Sequence, residues 1–140
     1  MKTITLYRPV GLKELQLIIE SDFSKFPPRL NWQPIFYPVM NEEYAAQIAY
    51  KWNTIDEFSG YAGFVTSFRM NEDYIKRFKI QNVGGKIHNE LWVPAEEMEE
   101  FNNHIIEKIE VTKSFLGKEF KIVDDKIVNA VIKNTKVDLS

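Results

Sequence analysis

The chain has no cysteine among its 140 residues. This absence removes disulfides, thiolate zinc sites and cysteine nucleophiles together. Any chemistry falls to oxygen and nitrogen groups. Histidine is scarce as well, with His88 and His104 far apart and without clustered partners, so no metal site is expected. Neither sign of charge dominates: 18 Lys+Arg face 20 Asp+Glu for a formal net charge of -2. The chain therefore has no global positive field to hold a nucleic-acid backbone. Arg69, Lys76, Arg77 and Lys79 form the strongest basic candidate patch, read as a solvated face. No apolar run reaches membrane-spanning length, and the apolar stretch before Arg8 is too short for a signal peptide. A cytoplasmic protein without a membrane partner is expected.

What is present suits one α+β domain with one core. Thr3 to Arg8 alternates and is β-branched, which predicts a strand with Ile4, Leu6 and Arg8 on one face. Pro9-Val10-Gly11 ends it, and Leu12, Leu15, Ile18 and Ile19 recur at helical spacing. The proline-rich stretch from Phe26 to Pro34 predicts an extended loop into Ile35-Phe36-Tyr37-Pro38-Val39, whose second half reads as a short strand. Asn41 sits as an N-cap before a helix carrying Tyr44, Ala45, Ile48, Ala49 and Trp52. Tyr61 to Met70 predicts a long strand, apolar chiefly on one side, and Phe78 to Val83 another before the Gly84-Gly85 turn. His88 to Val93 predicts a strand with His88, Glu90 and Trp92 on one face. Pro94 opens a helix with Met98, Phe101 and Ile105 in a row. Lys108 to Phe115 predicts a late strand with Ile109, Val111 and Phe115 inward. Residues 127 to 132 fit a helix or a strand equally. Residues 117–140 are read as an extension packed on the domain formed by 1–116.

The order of these pieces resembles the ADP-ribosyltransferase-like superfamily. The opening strand ends in Arg, in Leu6-Tyr7-Arg8-Pro9-Val10-Gly11. The middle motif is Ile35-Phe36-Tyr37-Pro38 followed by Asn41-Glu42-Glu43-Tyr44-Ala45-Ala46-Gln47-Ile48-Ala49. The last is Asn89-Glu90-Leu91-Trp92-Val93-Pro94. The chain also looks like small bacterial proteins labelled as ADP-ribosylation or crystallin J1 related. The resemblance spans about residues 3 to 115 and implies a mixed or antiparallel split sheet with a few short helices around one cleft.

It also implies NAD as substrate, cleavage of the nicotinamide glycosidic bond, and ADP-ribose transfer to an unknown acceptor, protein or nucleic acid. Glu90 would be the catalytic carboxylate, stabilising positive charge that builds on the ribose. Arg8 would bind a phosphate or ribose through its planar fork of donors, the alternative being a salt bridge to Glu14 or to Glu90. Tyr37, Phe36 and Tyr44 are candidates for stacking on nicotinamide, Tyr37 the foremost, with Tyr44 also placed for the core. His88 would donate to a ligand phosphate or tune Glu90, or else be a solvent-facing turn residue. Pro38 stands where many members have Ser or Thr, and no Glu-x-Glu pair precedes the last strand. Two other readings of the same fold are a non-catalytic ligand- or protein-binding module and an RNA 2'-phosphotransferase-like enzyme.

Overall fold

A ten-residue strand, β3 (Ala62–Asn71), runs through the middle of the larger sheet, flanked by β1 (Thr3–Val10) and β6 (Ile105–Leu116), both antiparallel to it. The computed structural model describes residues 2–138; Met1, Leu139 and Ser140 lie outside the described residues. β5 (Asn89–Pro94) is the centre of a smaller antiparallel sheet, between β2 (Ile35–Phe36) and β4 (Lys79–Asn82). One residue joins the two sheets. Val39 exchanges backbone hydrogen bonds with Tyr7 at 3.0 and 2.7 Å and bridges to Glu90 on its other side. The α+β class expected from the pattern is present, as two small antiparallel sheets and a few short helices.

β1 is two residues longer than its sequence suggests, because Pro9 continues the ladder opposite Val65. Tyr7 turns its N–H away from β3 toward Val39, and strand alternation aims the nitrogen of Pro9 the same way. A missing donor there breaks no bond to β3. The strand expected in the second half of 35–39 is instead its first half, Ile35 and Phe36, followed by the single bridge at Val39.

α1 (Leu12–Glu20) buries Leu15 and Ile18, and α2 (Glu42–Lys51) buries Tyr44, Ala45 and Ala49. Asn41 caps α2, its side chain accepting from the amides of Glu43 and Tyr44. Trp52 falls at the C-cap of α2 and is 66% exposed, so it leaves the apolar face on which the spacing placed it. Two 3-10 turns then lead to β3. α2 lies so close to that strand that a Cβ on Gly63 would stand 2.3 Å from the carbonyl oxygen of Ala49.

After β3 comes the single-turn α3 (Glu72–Ile75), capped by Asn71. Pro94 closes β5 instead of opening a helix; a 3-10 turn at Ala95–Glu97 separates it from α4 (Met98–Asn103). Met98 and Phe101 of α4 are buried, while Ile105 begins β6. Both β3 and β6 bury residues on two faces, where alternation predicted one apolar side and one inward row. Ile109 and Val111 join the main core with Phe26, Phe36, Phe64, Phe68 and Phe101, while Phe115 packs with Val65, Tyr44 and Ala49 under α2. In β3 the second face is the one that α2 covers; in β6 a register shift against Val65 and Thr66 leaves one residue unpaired and turns the following side chains to the other face.

The ambiguous tail is helical: α5 (Lys126–Thr135), capped by Asp125, buries Val128 completely. The backbone then returns to β6, with the amide of Val137 donating to the carbonyl of Ser114 at 2.9 Å. The basic candidates on β3 to β4 are spread over solvent: Arg69 pairs with Glu107, and Lys76 approaches Glu72 and Asp73. No helix among the described residues is long and apolar enough to cross a membrane.

Candidate functional site

The seam between the sheets carries a cleft of about 430 Å³, within the range of roughly 300–1,000 Å³ common for small-molecule sites. It is lined by Arg8 and Pro9 from β1, Tyr37 and Val39 from the connecting segment, Glu90 and Trp92 from β5, and Ile48 and Asn53 around the end of α2. Arg8, Tyr37 and Glu90, taken separately from the sequence, therefore face one space. A larger hollow of about 670 Å³, lined by Tyr50, Thr54, Tyr61, Leu116, Lys118 and Glu119, holds none of the residues singled out in the sequence.

Glu90 is held by two donors. The Tyr44 hydroxyl donates to Oε2 at 2.6 Å, and the Trp92 indole N–H to Oε1 at 3.3 Å. Strand alternation puts Trp92 on the face of Glu90, and the Asn41 cap fixes the first turn of α2, from which Tyr44 reaches down. Burial first, and then Glu90 through its hydrogen bond and charge, hold the Tyr44 hydroxyl well above the usual tyrosine range. Tyr44 is 8% exposed, so it supports the carboxylate from below and does not line the cleft. Tyr37 does line it, edge-on to Trp92 with ring centres 5.8 Å apart, and the two half-exposed rings form an aromatic corner beside Glu90.

His88 lies behind this arrangement. Its ring stacks on Tyr44 at 4.4 Å; Nδ1 accepts from the Gly85 amide, which leaves Nε2–H to donate to Gln47. Both nitrogens thus serve the protein, and the residue is half-buried in the turn before β5, not solvent-facing and not on the strand. It orders the ring that orders Glu90. Asn89 turns away, accepting from Asn82.

Arg8 makes a bidentate pair with Glu14 of α1, at 2.7 and 2.9 Å, and its guanidinium carbon lies 4.5 Å from the centre of the Phe36 ring. Of the alternatives open in the sequence, the partner is Glu14 and not Glu90. The pair leaves one terminal nitrogen of Arg8 without a protein partner among the described residues. Arg29 approaches the same ring at 5.7 Å.

Sequence reasoning passed over Arg29, and it placed Trp92 on the face of Glu90 without a role at the site. Trp92 had a readable signal, since it shares the strand face of Glu90. Arg29 had none, because only the fold of the proline loop brings it to Phe36. No three His, Asp or Glu side chains gather as a metal-ligand set among the described residues. No family model, curated protein or solved structure matches the chain.

Proposed function

We propose that this protein has an ADP-ribosyltransferase-like fold, binds NAD in the seam cleft, and cleaves its nicotinamide glycosidic bond. The observation that carries the reading is the convergence of Arg8, Tyr37 and Glu90 from three separate segments on one cleft. The residues suit such a ligand: the Arg8 guanidinium for a phosphate, an aromatic corner for a flat ring, and a carboxylate for a ribose. Once bound, the dinucleotide supplies a glycosidic bond whose breaking leaves positive charge on the ribose.

In this reading Glu90 stabilises that charge, and the donors Tyr44 and Trp92 hold its carboxylate in advance, so little reorganisation accompanies the reaction. Tyr37 and Trp92 orient the ring, and their bulk narrows the entry of water. The released ADP-ribose passes to an acceptor, protein or nucleic acid, or to water.

The test is nicotinamide release from NAD by wild type and Glu90→Gln, together with thermal unfolding in the presence of NAD. Release by the wild type and its loss in Glu90→Gln are expected. No release and no NAD-dependent shift would sink the reading. A shift without release identifies the cleft as a binding module, a reading favoured by Glu14 already occupying Arg8.

A further inference from the structure

Arg29 stands in the proline-rich loop that runs past Phe36, its Nε donating to the Ile35 carbonyl at 3.1 Å. Its guanidinium carbon is 5.7 Å from the centre of the Phe36 ring, and that of Arg8 is 4.5 Å from the same centre. Two cations therefore share one buried ring. One carboxylate, Glu14, answers them, and both its oxygens are taken by Arg8. Arg29 has no ion pair among the described residues, so the cluster keeps an uncompensated positive charge.

The donor count points the same way. Both terminal nitrogens of Arg29 and one of Arg8 make no hydrogen bond to protein among the described residues. The Arg29 pKa is lowered, by burial first and then by the charge of Arg8, the direction expected of a cation short of a counter-charge; Glu14 and Tyr37 act on it in the opposite sense. Arg29 does not line the cleft itself, but the Phe36 ring that it shares with Arg8 sets it beside a residue that does.

We propose that Arg29 and Arg8 together form a seat for a phosphate or diphosphate group, with Arg29 the residue that selects a dinucleotide over a ligand lacking phosphate. The inference rests on the NAD reading of the same cleft and names the second anchor of that ligand. Arg29 supplies the unspent charge, while Arg8, already paired, supplies direction. A planar guanidinium with two open terminal nitrogens matches the spacing of phosphate oxygens, and partial burial strengthens the contact.

Calorimetric titration of inorganic pyrophosphate, ADP-ribose and nicotinamide riboside into wild type and Arg29→Gln provides the test. Arg29→Gln is expected to weaken pyrophosphate and ADP-ribose by roughly tenfold or more, the effect of losing a hydrogen bond to a charged group. Nicotinamide riboside, which has no phosphate, should bind both proteins alike. Wild-type affinity for ADP-ribose should also fall as salt is raised, and less steeply in Arg29→Gln. Equal ADP-ribose affinity in the two proteins overturns the proposal, as does a wild type that binds neither phosphate ligand. Should Arg29→Gln not fold, Arg29→Lys keeps the charge and loses the fork; several-fold weaker ADP-ribose binding upholds the seat and unchanged binding overturns it. Nicotinamide release does not enter this readout. A protein that holds pyrophosphate through Arg29 without turning over NAD upholds the seat and sinks the enzyme reading, and turnover with unchanged Arg29→Gln binding does the reverse.

Discussion

The Tyr44 hydroxyl donates to Glu90, and this contact ties α2 to the cleft. Removing it in Tyr44→Phe leaves one oxygen of the carboxylate without its donor. A hydrogen bond to a charged group contributes about 1.5–3 kcal/mol. Nicotinamide release by Tyr44→Phe is therefore expected to fall roughly ten- to a hundredfold in kcat, with KM nearly unchanged, because Tyr44 does not line the cleft. An equal rise in KM with kcat intact would assign Tyr44 to binding instead. The same residue predicts an alkaline limit to stability. The hydroxyls of Tyr44 and Tyr74 are held above the unfolded value of 10.0, that of Tyr74 pushed up to about 12, by burial first and then by the carboxylates of Glu90 and Glu97 respectively. Above pH 10 the unfolded chain releases tyrosine protons that the folded chain retains, so stability is complete below that pH and declines as pH rises toward the folded values. Urea unfolding at pH 9 and about pH 11 should show the loss, and Tyr44→Phe should lessen it. At this scale much was legible in the sequence. The face of Glu90 followed from strand alternation, whereas Tyr44, a stacking candidate from the sequence, is buried and meets the site through its hydroxyl alone. The pairing of Arg8 with Glu14 stayed open, because nothing in the spacing decides which acid a strand-end arginine meets.

Each site residue is only as well placed as its element, and α2 has little room to move. It is aligned at its start by Asn41 and pressed against β3 near its end, where Gly63 meets the backbone of Ala49. Gly63→Ala adds a methyl where backbone blocks it, so α2 must shift away from the sheet, at about 1–3 kcal/mol for an overpacked core. Tyr44 moves with the helix, and the variant should lose nicotinamide release along with stability. Asn41→Ala removes the cap for about 1 kcal/mol. Thermal unfolding of the two variants measures both costs, and a Gly63→Ala protein as stable as wild type would show that α2 yields freely. The cap was legible because Asn before two acids and an apolar stripe is a local signal. The double-sided burial of β3 and β6 was not, since the packing of α2 on β3 and the bulge that turns Phe115 away from Ile109 both depend on contacts between distant segments. Pro94 misled for a related reason: a proline before acidic residues starts a helix in isolation, yet here its pairing with Ile35 keeps it in β5.

The whole molecule is two sheets hinged on very little backbone. Val39 bonds to Tyr7 on one side, and on the other the Leu91 amide donates to Pro38 at 2.8 Å and the Met40 amide to Asn89 at 3.1 Å. The larger sheet is braced on its far edge by α5, through Val128 and the contact of Val137 with Ser114, whereas the β4 edge of the smaller sheet stays largely exposed. Openings of the smaller sheet are thus expected to require less free energy than those of the larger one. The cleft lies on this seam, with Arg8 contributed from one sheet and Glu90 from the other. A ligand that touches both residues ties the sheets together and should slow the openings that break the seam. Hydrogen exchange with and without ADP-ribose reads this directly. The amides of Tyr7, Val39 and Leu91 are expected to gain protection on binding, and that of Val137, on the far edge, to stay unchanged. Protection confined to Val137 and the residues around α5 would move the ligand site away from the seam. A uniform gain at all four positions would instead mean that binding stabilises the fold as one unit and that the two sheets do not open separately.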